Sequence, residues 1–190
     1  MLRIVTYPHP ALRYESKPVT RIDDELRTIV AEMFDLMYEA RGIGLAANQV
    51  AIPLRFFVLN LSADPDKPED EQVFINPEIV KRHASIEEEE GCLSFPGLYG
   101  DVKRAKRVRV RAYNLKGEPI EVDGEDLFGR ALQHETDHLE GKLFIDMLAP
   151  SKVIDAKVKE IEAAFRAEQA AGVYADDDTL RKRLDALGHV

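Results

Sequence analysis

The sequence predicts an α+β fold: antiparallel sheets of short strands packed around a central helix that carries His-Glu-x-x-His, with an N-terminal helix and a C-terminal helix. Three observations carry that expectation. Leu26, Ile29, Val30, Met33, Phe34 and Met37 recur at helical spacing. Residues 107–113, Arg-Val-Arg-Val-Arg-Ala-Tyr, alternate in the manner of a half-buried antiparallel strand. His134-Glu135-Thr136-Asp137-His138 falls inside a second helical stretch that Gly141 stops.

Taken in order, the opening segment holds Pro8, Pro10 and Pro18 and should be extended and turn-rich. Asp23 and Asp24 mark a helix start and Gly42 a C-terminal cap, which predicts a helix over 24–41. Residues 55–60, Arg-Phe-Phe-Val-Leu-Asn, read as a strand. The polar stretch 64–71, with its two prolines, reads as a loop, and 73–76 as a short strand. A single strand is expected over 103–114, a turn at Gly117-Glu118 and a returning strand over 119–122. The second helix should span 126–140. A third pattern (Val153, Ile154, Val158, Ile161, Phe165) starts near Ser151 and is interrupted by Gly172 and Asp176-Asp177-Asp178. Leu180, Leu184 and Leu187 fit a short helix or a frayed tail. The expected division is a domain over 1–168 and a C-terminal extension over 169–190.

The 190 residues suit one domain, and a hydrophobic share of 45% is enough for a core. Lys and Arg number 26 against 35 Asp and Glu, a net charge of −9, which argues against a broad nucleic-acid face. No apolar run approaches the length of a membrane span. The first residues lack the apolar stretch of a secretory signal, so the expected location is the cytoplasm. The one cysteine excludes an intrachain disulfide and is either inert core or a working group.

Histidines four apart on a helix share one face, so His134 and His138 can reach one metal ion, with Glu135 beside them as a proton carrier. The plain alternative is a polar helix face. A catalytic metal needs a third protein ligand. The pattern HExxHxxGxxH would supply a histidine, but Phe144 stands there. Glu160 or Glu162 could serve from a later helix, although they also read as its solvated face. Cys92 remains, either as a thiolate ligand or as a buried apolar thiol; Gly91 beside it permits close approach and favours the ligand. In Gly42-Ile43-Gly44-Leu45-Ala46-Ala47-Asn48-Gln49 the small residues allow another chain near, and the Gln49 amide can donate to an oxyanion. A tight turn explains the same residues equally well.

Together, Gly42–Gln49, Glu90-Gly91-Cys92-Leu93-Ser94 and Gln133–Gly141 match the GxGLAAxQ, EGCLS and QHExDHLxG segments of peptide deformylases, in the family's order. Tyr7–Arg13 also looks like the family's opening segment, and the resemblance covers roughly residues 2–165. It implies an enzyme that removes the N-formyl group from formylmethionine of newly synthesised polypeptides. It implies one divalent ion held by Cys92, His134 and His138, natively iron(II), with zinc, nickel or cobalt as substitutes. Glu135 becomes the acid/base, and Gln49 with the Leu93 backbone N–H the oxyanion hole. Arg104 is expected to pair with Glu90.

The methionine chain should lie against Ile43, Leu127 and Ala131, the last two seven and three residues before His134 on its helix face; ordinary core packing is the alternative. An extended peptide should meet exposed strand edges at Gly44 and Gly97. Expected partners are formylmethionyl nascent peptides, with no direct nucleic-acid or membrane contact. Residues 151–190 carry seven basic and eight acidic residues, so ribosome proximity would not rest on a basic tail. The rival readings are an HExxH metallopeptidase using Glu160 or Glu162, and a non-catalytic, metal-stabilised peptide-binding protein.

Overall fold

The structure, a computed structural model, describes residues 2–174. Helix α1 (Asp24–Glu39) is followed by strands β1 (Gly44–Ala46), β2 (Phe56–Leu59), β3 (Gln72–His83), β4 (Ile86–Gly91), β5 (Tyr99–Arg104), β6 (Arg107–Tyr113) and β7 (Pro119–Glu125). Helices α2 (Asp126–Leu139) and α3 (Lys152–Ala170) complete the described fold. The strands form two antiparallel sheets, one ordered β1-β2-β3-β6-β7 and the other a β4-β5 hairpin. This is the predicted α+β class.

Strand β2 explains how the layers stack. All four of its residues are buried, because successive side chains point to opposite faces and each face meets a helix. Phe56 and Val58 join Leu26, Ile29, Met33 and Met37 of α1 in one core. Phe57 and Leu59 join Phe74, Val108, Val110 and Leu132 under α2 in a second. A third core (Val5, Leu12, Phe95, Val102, Phe144, Ile161) ties the hairpin and α3 to the opening segment.

Three expectations are corrected. Residues 103–114 are two strands, broken where the chain leaves the hairpin for the large sheet. The Gln133 side chain holds the break, accepting from the Ala105 amide at 3.0 Å and donating to its carbonyl at 2.9 Å. The strand expected over 73–76 continues to His83, past Asn76 and Pro77, whose turn-like chemistry conceals a kink. Asn76 has φ 52° there, and its side chain bonds both backbone groups of Val19. The C-cap of α1 is not Gly42 but Ala40; the left-handed residue that follows it is Arg41 (φ 57°), while Gly42 donates to the Met37 carbonyl at 2.8 Å. Strand β4, which holds Glu87–Glu90, was not anticipated; Glu87, Glu88 and Glu89 are exposed on it and Glu90 is buried. The short helix expected at Leu180, Leu184 and Leu187 lies outside the described residues.

Candidate active site

Helix α2 carries His134 and His138 one turn apart, and their Nε2 atoms are 3.2 Å from each other. Cys92 arrives from the end of β4, with its Sγ 3.3 Å from His138 Nε2. These three form a group of potential ligands whose donor atoms all lie within 4.8 Å of one another. Bonds of about 2.3 Å to sulfur and 2.0 Å to nitrogen put tetrahedral donors roughly 3.3–3.6 Å apart, so the spacing fits one ion. The electrostatics agree. Burial works against charge on His134, yet Cys92 and Glu90 outweigh it and lift the ring to about 10, so the place favours a cation. Burial, with His134 and Arg104 nearby, pushes His138 well below its ordinary value, leaving a neutral ring with a lone pair to give.

The ligands are braced from behind. Glu90 Oε2 is 3.0 Å from His134 Nδ1, and Arg104 grips the same carboxylate twice, at 2.8 and 3.0 Å. Arg104 also binds Asp137. Burial opposes the charge on Glu90, but the His134 and Arg104 hydrogen bonds hold it down at about 2. The expected Arg104–Glu90 pair is therefore present, and Asp137 acts on Arg104 rather than on a ligand. Sequence reasoning missed the direct Glu90–His134 contact: Glu90 alone of the four glutamates is buried, at the end of β4, and nothing in the sequence names the histidine it meets. It also missed Asn48, fully buried, whose amide donates to the His138 carbonyl.

Glu135 is buried beside the ligands, and its Oε2 has no hydrogen-bond partner among the described residues. Burial pushes its carboxyl up to about 7. Gln49 sits in a 3-10 turn after β1. Its Oε1 accepts from the Ala46 amide at 2.9 Å, which orients Nε2 toward Cys92 Sγ (3.5 Å) and Ser94 Oγ (3.1 Å). The Leu93 amide makes no hydrogen bond among the described residues. One cavity of about 650 Å³ is lined by Cys92, His134, Glu135, Gln49 and Leu93 together with Ile43, Gly44, Gly97, Leu127 and Ala131.

Two glycines have a visible cause. A β-carbon on Gly44 would lie 2.5 Å from Glu135 Oε1, and one on Gly91 2.6 Å from the Tyr99 ring. Phe144, where another metalloenzyme pattern has a histidine, packs against His134 and Phe95 with ring centres 6.2 and 5.4 Å away. Glu160 and Glu162, the rival ligands, are bound instead to Lys157 (2.9 Å) and Arg166 (3.9 Å) on α3.

A sulfur and two imidazoles around one cation site, with a buried carboxylate beside them on an α+β scaffold, define a mononuclear metallohydrolase. The profile of the polypeptide deformylase family matches residues 1–153, and the chain belongs to that family. A peptide deformylase of Rhodopirellula baltica is 42% identical over 184 residues, covering 96% of this chain and 91% of the relative. One of Acidobacterium capsulatum is 51% identical over 149 residues, 78% of this chain and 87% of the relative. The crystal structure of a Plasmodium falciparum peptide deformylase superposes with a TM-score of 0.84 at 42% identity, over 87% of this chain and 98% of that one.

Proposed function

We propose that this chain hydrolyses the N-formyl amide of formylmethionine on newly made polypeptides and releases formate, using one divalent ion held by Cys92, His134 and His138. The observation that supports the reading best is the convergence of Cys92 Sγ and two Nε2 atoms beside a Glu135 oxygen that has no hydrogen-bond partner among the described residues, at a cavity lined by Cys92, His134 and Glu135. When bound, the ion brings the pKa of a water toward neutrality. Iron(II) is the proposed native ion, with zinc, nickel or cobalt able to replace it; a thiolate beside iron also makes the enzyme oxygen-sensitive.

The remaining work falls to side chains. Glu135, poised near neutrality, takes the proton of the attacking water and delivers it to the departing amine. Gln49 Nε2 and the Leu93 N–H donate to the oxygen on which charge develops. Glu90 and Arg104 fix the His134 ring so that Nε2 faces the cation. Ile43, Leu127 and Ala131 receive the methionine chain, while the backbone at Gly44 and Gly97 meets the extended peptide. Asn48 positions the end of α2 through its bond to the His138 carbonyl.

The proposed setting is the cytoplasm, near the source of nascent chains and without membrane or direct nucleic-acid contact; no helix among the described residues is long and apolar enough to cross a membrane. Anaerobic purification, metal analysis and an assay on formyl-Met-Ala-Ser, all on one sample, test the reading. One divalent ion per chain and release of formate are expected. Glu135→Gln should keep the ion and lose at least about a hundredfold in turnover. Undiminished turnover in that variant, or retention of both metal and activity by Cys92→Ala, overturns the assignments.

A further inference from the structure

Charge at the mouth of the cavity is unevenly satisfied. Arg130 is neutralised, with Nε 3.1 Å from the Glu88 carboxylate and Nη1 donating to the Glu89 carbonyl at 3.0 Å. Arg41 and Glu89 also line the mouth and are exposed, and neither side chain has an ion-pair or hydrogen-bond partner among the described residues. They stand on separate walls, Arg41 between α1 and β1 and Glu89 on β4. The Arg41 backbone is fixed. It is the left-handed residue that follows the C-cap of α1, its amide bonded to the Tyr38 carbonyl at 2.9 Å. A free cation on a rigid stem is thus presented at the opening.

Distance puts it within reach of the substrate. Gly44 lies against Glu135. Arg41 is three residues upstream, at most about 10 Å away along the backbone. An extended peptide leaving the reacting amide covers that distance by its third residue, at roughly 3.3 Å per residue.

We infer that Arg41 reads the charge of the substrate's third residue, favouring an acidic side chain there over a basic one. This rests on the formyl-amide reading above and specifies which nascent chains the site prefers. The test compares kcat/KM for formyl-Met-Ala-Asp and formyl-Met-Ala-Lys in the metal-loaded wild type, Arg41→Gln and Arg41→Glu. Charge reversal should lower the Asp-to-Lys ratio by about tenfold at low salt, an effect that shrinks as ionic strength rises. Arg41→Gln should fall between. A ratio that Arg41→Glu leaves unchanged overturns the inference. Wild-type turnover of the neutral formyl-Met-Ala-Ser separates the two ideas. If it is absent, the formyl-amide reading falls and takes this one with it; if it is present, the ratio judges Arg41 alone.

Discussion

Glu90 shows how much a site depends on a group that performs no step of the reaction. Its carboxylate is bonded on one side to His134 and on the other to Arg104, so it sets the ring's orientation and the sign of the field behind it. Glu90→Gln keeps the shape and removes the charge; metal affinity, read by competition with a chelator, should fall about 10–100-fold. Gly44 fails differently. A methyl group there collides with Glu135 and with Leu59, so Gly44→Ala should lower kcat at least about tenfold in steady-state assays while metal content stays at one per chain. At this scale the reading from sequence was uneven. His134 and His138 declare themselves because helical spacing is local. Cys92 does not, since nothing near it in the chain says which distant face it will meet. Gly91 pointed toward the ligand reading, but its absent side chain makes room for the Tyr99 ring.

Elements were legible where their pattern is local and hidden where a partner defines them. Helix α1 repeats its apolar face and opens on Asp23, whose carboxylate accepts from the Leu26 amide at 3.0 Å. Asp23→Ala should cost about 1 kcal/mol at neutral pH, measured by urea unfolding. The Leu26 amide is the main influence holding the Asp23 carboxyl below its ordinary 3.8. A depressed folded value means that the stabilisation is present above pH 3.8 and is lost as the pH falls through the lower folded value. The gap between wild type and variant should therefore close in acid. Strand β4 was not anticipated because a run of like-charged glutamates lacks the apolar alternation that marks a strand. Their partners are Lys103 across the hairpin, Arg130 on α2 and Arg104 in the interior, none of them adjacent in sequence. The break between β5 and β6 was equally invisible, since Gln133 holds it from a helix some thirty positions later.

At the level of the whole molecule, the cation site joins parts that lie far apart in the chain. Cys92 belongs to the hairpin and the histidines to the helix over the large sheet. An ion that binds only the folded chain stabilises it by about 2.7 kcal/mol when present at a hundred times its dissociation constant. Chelation should therefore lower the melting temperature by roughly 5–10 °C in calorimetry, and Cys92→Ala should make the protein indifferent to chelator. The fold class was readable from pattern alone. The packing of sheets around the His-Glu-x-x-His helix was expected as well; the point where the chain crosses from the hairpin to the large sheet was not, because Gln133 of a later helix fixes it.

That division of the ligands between hairpin and helix bears on the order in which the protein comes together. The thiol and the imidazoles meet only where hairpin and helix are docked, so an ion that needs all three ligands is expected to bind the folded chain. Refolding in anaerobic buffer should run at one rate with or without ferrous ion, and loading should follow as a second, concentration-dependent event. Which element ends up in the enzyme is then decided by what the surroundings offer at the moment of loading.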